Sequence, residues 1–138
     1  MGHIYVLPDE KIEALLHGAI VGRIACCDHS GDGRPYLVPL AFGYDGHSLF
    51  AHTGPGRKLD LMRSNPLVTI EVDEATASDR WSSVVAEGTF VEFSDAVARE
   101  QALRMIYPEP SPIPALSPVI VVFRIDLTSK SGRFELPD

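Results

Sequence analysis

Short strand-like segments joined by short connections run through most of this 138-residue sequence. Between Leu67 and Asp73, every second residue is apolar and the residues between them are polar, as in a strand with one buried face. The connections are too short for repeated βαβ units, which need a dozen or more residues between parallel strands. The sequence therefore predicts a mainly β fold, a six-stranded antiparallel β-barrel with small helices at its gaps.

Three helices accompany these strands, and the whole of 1–138 is expected to form a single domain. Pro39 predicts an edge or bulged strand because proline cannot donate to a ladder. Gly88 predicts a bulge or sharp bend, and Asp45-Gly46 a hairpin turn. The predicted strands are 20–27, 36–44, 48–53, 67–73, 81–93 and 119–128, the predicted helices are 9–17, a short one from 57 and one from 94–95 to 106, and the polar stretches 74–80 and 129–138 are expected to be a loop and a tail.

Charge and composition exclude several classes of function. Twelve basic and nineteen acidic residues give a formal charge of -7, which argues against nucleic acid or an anionic membrane as partner. No apolar run reaches the roughly 20 residues of a membrane span, and no signal peptide is visible, so a cytoplasmic protein is expected. Cys26 and Cys27 are neighbours on a strand and should face opposite sides as reduced thiols. No histidine pair has metal-ligand spacing, so no metal is expected.

The stretch SLFAHTGPGRKLDLMRSNP, from Ser48 to Pro66, combines a strand, a glycine loop and a helix start. A helix N-terminus offers free backbone N–H groups and the positive end of the macrodipole. Arg57 adds a fork of donors and Lys58 a mobile charge, so the two could hold one phosphate. The alternative is an exposed, solvated pair of cations. The spacing fits neither a Walker A loop nor a Rossmann turn.

Four stretches also carry a resemblance to a known family: VGRIACCD at 21–28, PYLVPLAFGYDG at 35–46, LFAHTGPGRKLDLMRSNPLVTIEVDE at 49–74 and WSSVVAEGTFVEF at 81–93. In this order and spacing, the chain resembles the flavin-binding split-barrel superfamily of pyridoxamine 5'-phosphate oxidase. It is most similar to the branch that includes the 5-nitroimidazole resistance (nitroreductase-like) proteins. The resemblance covers nearly the full length of the chain.

The resemblance implies a homodimer with two FMN sites at the subunit interface and a small-molecule substrate. His52 is the implied catalytic residue, which would contact substrate or donate a proton; the alternative is a hydrogen-bonded wall residue. The implied cofactor-binding residues are Val38, Pro39, Leu40 and Ala41 along the flavin ring, His52 and Thr53 beside it, Arg57 and Lys58 at its phosphate, and Trp81, Ser82, Ser83 and Val84 near the cofactor.

Two departures argue against oxidation of pyridoxamine phosphate itself. The oxidases of the family carry an Arg where this chain has Leu37-Val38, and a C-terminal Trp that this tail lacks, although it has Arg133. The implied function is an FMN-dependent oxidoreductase that passes electrons from a reduced nicotinamide or similar donor to a small organic acceptor, nitro compounds included. The alternatives are a non-catalytic flavin- or haem-binding or sensing protein, a deazaflavin (F420)-dependent reductase, and a structural barrel that has lost its cofactor.

Overall fold

The structure, a computed structural model, describes residues 2–138. Within them, all strand pairs are antiparallel and belong to one sheet of order β3-β2-β6-β7-β8-β5-β4, with β1 paired to β8. The mainly β fold class is confirmed. The elements in chain order are β1 His3–Val6, α1 Asp9–Gly18, β2 Val21–Cys27, β3 Pro35–Ala41, β4 Gly43–Tyr44, β5 Ser48–Thr53, α2 Arg57–Ser64, β6 Leu67–Ala77, β7 Arg80–Glu92, α3 Ala96–Ile106 and β8 Val121–Leu136.

The barrel is split at Phe42, where the chain crosses between the two ends of the sheet. Strands β3 and β4 form the two ends of the sheet, yet only Phe42 separates them along the chain. The Phe42 side chain is buried, and its N–H donates to the Ile20 carbonyl at 3.2 Å. The chain therefore passes from one edge of the sheet to the other without a hydrogen-bonded ladder between them, which splits the barrel. Pro39 lies in edge strand β3, as predicted.

Two apolar clusters lie on opposite sides of β5 and β8. Side chains alternate along a strand, so Phe123 faces the barrel interior while the adjacent Val122 faces α3. Helix α2 contributes Leu59, Leu61 and Met62 to the barrel cluster. Helix α3 contributes Ala102 and Leu103 to the second cluster. The outward face of β5 is consequently covered by α3 instead of solvent.

The structure has eight strands where the sequence predicted six. Strand β1 was missed, and the predicted strand 36–44 is two strands, β3 and β4. The predicted loop 74–80 is wrong because β6 runs to Ala77 and β7 starts at Arg80, and the predicted tail 129–138 is wrong because β8 runs to Leu136. These segments are ribbons of paired strands, as in the pair of Trp81 with Glu135. They are largely exposed and therefore lack the apolar alternation on which the prediction depended.

The local predictions from glycine and cysteine are confirmed. The β4–β5 hairpin turns at Gly46, whose φ of 98° is a left-handed conformation that suits glycine. A register shift between Glu87 and Gly88 marks a bulge, and a Cβ at Gly88 would lie 2.6 Å from Ile125. Cys26 is buried, Cys27 is partly exposed, and both are free thiols.

The helices of residues 2–138 are all too short or too polar to cross a bilayer. Among the same residues, no group of three or more His, Cys, Asp or Glu side chains is arranged to hold a metal ion.

Candidate functional site

The entrance to α2 is the first part of the candidate site. Strand β5 ends at Thr53, whose hydroxyl donates to the Gly54 carbonyl at 3.1 Å, and α2 begins at Arg57. Gly56 occupies the N-cap and provides no side-chain cap. The first helical hydrogen bond runs from the Asp60 N–H to the Gly56 carbonyl at 3.1 Å. The N–H groups of the three residues before Asp60 have no partner inside the helix, which makes this end attractive to an anion.

Two cations stand at this helix end in different surroundings. Arg57 is exposed, and its guanidinium carbon lies 5.0 Å from the centroid of the Tyr36 ring. Lys58 is partly buried, and burial lowers the pKa of its ammonium group. Within residues 2–138, the Lys58 ammonium has no hydrogen bond and no ion pair, and its nitrogen still reaches solvent. Partial loss of hydration makes a charge without a counter-ion less favourable, so an anion bound here would stabilise it.

His52 lies on the face of β5 that α3 covers. Its Nε2 atom is 2.7 Å from the Tyr107 hydroxyl, and the two rings stack with centroids 5.9 Å apart. Burial lowers the pKa of His52, and the nearby charges of Lys58 and Arg99 lower it further. The imidazole is therefore neutral at neutral pH. The structure thus brings His52, Thr53, Arg57 and Lys58 together around the loop before α2.

The predicted ring-binding residues 38–41 lie on β3. Val38 and Leu40 point toward the barrel cluster, whereas Pro39 and Ala41 are exposed on the outer face. Within the part of the chain that the structure describes, β3 pairs with β2 alone. The other edge of β3 therefore presents unpaired backbone groups. Val38, the first of the predicted ring-binding residues, lies two residues along the strand from Tyr36, whose ring contacts Arg57.

The predicted residues 81–84 divide between two faces of β7. Trp81 and Ser83 line an outer groove of about 330 Å³, and the Trp81 indole donates to Glu135 at 2.8 Å. Ser82 lines a different groove, next to α1, and Val84 is in the barrel core with 1% of its surface exposed. Of the four predicted residues, only Trp81 and Ser83 therefore lie on the outer face of the sheet.

One copy of the chain does not bring Ser83 to the α2 entrance. Cys26 lies close enough to Lys58 for their charges to interact, and Ser83 lies two strands away and about five residues further along the sheet. Strand rise and spacing then separate Cys26 from Ser83 by about 20 Å. In one copy of the chain, the two predicted halves of the cofactor site are therefore far apart.

The centre of this outer face is charged and its surroundings are apolar. Arg23 bridges Glu71 at 3.4 Å and Asp73 at 3.2 Å. Burial, and then the neighbouring Asp73, raise the pKa of Glu71 to about 7. The apolar side chains exposed around this cluster, by between 41% and 66%, are Val21, Leu37, Leu67 and Val85.

The sequence analysis missed Tyr36, Arg99 and Tyr107. Tyr107 is 55 residues from His52, and its backbone N–H caps the C-terminus of α3. No local pattern relates a residue at a helix end to one on a distant strand. The contact arises only because α3 folds across β5, so sequence periodicity alone gives no signal for it.

An antiparallel barrel split at Phe42, with a cationic helix start near its open edge strand, defines the class of the protein as a split barrel. The model of the pyridoxamine 5'-phosphate oxidase family matches residues 8–134. The chain belongs to that family, and the family membership inferred from the four sequence stretches is confirmed.

Individual relatives agree with this assignment. An FAD-binding protein from Mesorhizobium loti is 33% identical, with a TM-score of 0.80 over 96% of this chain and 99% of that one. A proposed 5-nitroimidazole antibiotic resistance protein from Bacteroides thetaiotaomicron shares the fold, with a TM-score of 0.81, 21% identity and coverage of 97% and 89%. An uncharacterized protein of Rhizobium meliloti is 34% identical over 89 residues, which span 64% of this chain and 57% of that protein.

Proposed function

We propose that this protein is a homodimeric FMN-dependent oxidoreductase, which passes electrons from a reduced nicotinamide or similar donor to a small organic acceptor such as a nitro compound. The observation that carries the proposal is the partly buried Lys58 ammonium, which has no counter-ion within residues 2–138 and stands at an uncapped helix start. The Mesorhizobium loti relative, which is 33% identical and FAD-binding, supports a flavin as the ligand.

The α2 entrance suits a terminal phosphate group. Its free N–H groups, the helix dipole and the two side chains of Arg57 and Lys58 all favour negative charge at one point. Arg57 is exposed and can give two parallel hydrogen bonds, whereas Lys58 acts as a point charge from the partly buried side. The fit of this group of donors to the phosphate of FMN is better than to a neutral ligand, because a neutral ligand would leave Lys58 uncompensated.

The flavin ring is assigned to the open edge of β3 and to His52. When bound, the flavin supplies the redox chemistry, and the protein supplies position and electrostatics. The unpaired edge of β3 can donate to and accept from the polar edge of a ring, except at Pro39, which has no N–H. His52 is neutral at neutral pH and can form a hydrogen bond to the ring or to a bound acceptor.

A second copy completes the site in this proposal. The outer face exposes apolar strand residues, among them Val85 at 41% and Leu37 at 64%, and sheet faces of this kind favour burial against a partner. Because Ser83 and the α2 entrance lie about 20 Å apart in one copy, a two-fold dimer can bring Trp81 and Ser83 of one copy to Arg57 and Lys58 of the other.

The test is FMN binding by the double variant Arg57→Ala/Lys58→Ala. Each charged contact to the phosphate contributes about 1–3 kcal/mol, so the double variant should bind FMN at least tenfold more weakly in a fluorescence titration. Arg63→Ala is the matched control, because Arg63 lies on the same helix but pairs with Glu92 at 2.8 Å. Equal FMN affinity in the double variant and in Arg63→Ala would contradict the phosphate assignment.

The same preparations distinguish the alternatives. Mass analysis of the released chromophore separates FMN from FAD, a deazaflavin and haem. Stopped-flow mixing with reduced nicotinamide and nitro compounds separates an enzyme from a binding or sensing protein, since only the enzyme turns over. Sedimentation of Val85→Lys tests the dimer: the variant should become monomeric and lose FMN together, and a variant that stays dimeric and keeps FMN would oppose the proposed interface.

A further inference from the structure

The His52–Tyr107 pair joins two elements that are distant in sequence. Tyr107 is the C-cap residue of α3, and its N–H donates to the Leu103 carbonyl at 2.8 Å. Arg104 donates to the Tyr107 carbonyl at 3.1 Å and to the Ser111 carbonyl at 2.7 Å. The backbone of Tyr107 is therefore fixed on both sides, and its hydroxyl is held 2.7 Å from Nε2 of His52.

We infer that Tyr107 is a positioning residue for His52, whose hydroxyl donates to Nε2 and thereby keeps the imidazole proton on Nδ1. This inference deepens the proposed function and depends on it only for the assignment of His52 to the ligand site. Tyr107 lies outside the four stretches that carry the family resemblance, and its pairing with His52 follows from the contact between β5 and α3.

The direction of the hydrogen bond follows from the chemistry of the two groups. A neutral imidazole has one N–H donor and one lone-pair acceptor. The phenol O–H is the more acidic donor and the imidazole nitrogen the more basic acceptor, so the bond from Tyr107 to His52 is the better matched. The cations of Lys58 and Arg99 on the flanking helices oppose a third positive charge on His52. The neutral imidazole with its proton on Nδ1 is the result.

The Nδ1 atom of His52 is left free for a ligand. It makes no hydrogen bond within residues 2–138, and it is not an enclosed polar atom without a partner. An N–H donor that is reachable and lies near the charges of Lys58 and Arg99 is suited to an electron-rich oxygen or nitrogen. The class of group that fits is a carbonyl, nitro or ring acceptor of a ligand, not a cation or a hydrogen-bond donor.

The test is the tautomer of His52, measured by long-range ¹H–¹⁵N NMR in ligand-free protein at pH 7.5, with the resonance assigned by its loss in His52→Gln. Wild-type protein should show a protonated Nδ1 and an unprotonated Nε2. Tyr107→Phe should shift the population toward protonated Nε2, because the donor to that nitrogen is gone. Tyr36→Phe is the matched control and should leave the tautomer unchanged. A protonated Nε2 in wild type, or an unchanged tautomer in folded Tyr107→Phe, would overturn the inference.

A second measurement separates this inference from the proposed function. FMN is added to the wild-type protein, and its affinity and the His52 Nδ1 resonance are followed together. If FMN does not bind, the proposed function fails while the tautomer result still decides the role of Tyr107. If FMN binds and the Nδ1 resonance shifts, His52 faces the ligand site. If FMN binds and the resonance is unmoved, His52 does not donate to the ligand, and the deeper assignment fails.

Discussion

The carboxyl group of Glu71 makes the stability of this protein depend on pH in a specific window. Burial and Asp73 raise its pKa from 4.5 to about 7. The Arg23 guanidinium, which lies 3.4 Å from the Glu71 carboxylate, opposes this increase. The native state therefore holds a proton that the unfolded chain releases between these pH values. The contribution of Glu71 to the free energy of unfolding should consequently fall as the pH rises from about 4.5 to about 7, and stay lower above it.

The variant Glu71→Gln removes this effect because glutamine cannot ionise. Each tenfold change in an acid dissociation constant is worth about 1.4 kcal/mol, so the upper limit is near 3 kcal/mol. The Glu71 side chain is 31% exposed, and solvent screening reduces the expected value to about 1–2 kcal/mol. We compare the unfolding free energy of Glu71→Gln with that of wild type at each pH. The difference, variant minus wild type, should be larger at pH 8 than at pH 5 by that amount.

Urea unfolding at one protein concentration, at pH 5 and pH 8, measures the difference. Glu74→Gln is the control, since Glu74 is an exposed carboxylate on the same strand, β6. The control should follow wild type at both pH values. Parallel behaviour of wild type and Glu71→Gln across this range would refute the reasoning, because it would show that Glu71 ionises alike in the folded and unfolded chains.

Two further outcomes follow from packing and exposure. Gly43→Ala should lose about 1–3 kcal/mol of unfolding free energy in urea, because a Cβ at this position would clash with the Met105 carbonyl oxygen. Gly18→Ala is the control and should be neutral or stabilising, because a Cβ there meets nothing within 4 Å. Equal effects of the two substitutions would contradict the close contact of β4 with α3. An aromatic disulfide reagent should label Cys27 in the native protein and Cys26 only after unfolding, because Cys26 is 1% exposed and burial raises the pKa of its thiol; prompt labelling of both thiols would contradict this.

The part of the fold that sequence could predict is the part governed by local rules. Strand β5 was predicted with its observed bounds, and α2 with its observed start at Arg57, because apolar alternation, the glycine loop and Asn65-Pro66 all lie within a few residues of one another. The bulge at Gly88 and the edge position of Pro39 were also predicted, since each follows from the chemistry of one residue.

The errors came from segments whose structure depends on distant partners. The last third of β8 pairs with β1 on one edge, Val6 opposite Arg133, and with β7 on the other, Trp81 opposite Glu135. The side chains of β1 and of this part of β8 are mostly exposed, so neither segment shows a buried face that a periodicity could detect. The same reason hides Tyr107 from a local analysis: its role depends on where α3 packs and not on its neighbours in sequence.

The break in the barrel at Phe42 explains why the candidate site lies where it does. In a closed barrel every strand edge is paired, and no backbone group is left for a ligand. Here the chain crosses from β3 to β4 at Phe42, which leaves an edge of β3 unpaired within residues 2–138. Helix α2 plugs the barrel with Leu59 and Met62, and its start, which has no side-chain cap, lies beside Tyr36 at the end of β3 that is far from Phe42. The split thus leaves an open strand edge that runs from Phe42 back toward the cationic helix start at Tyr36, and the proposed ring and phosphate sites depend on these two features.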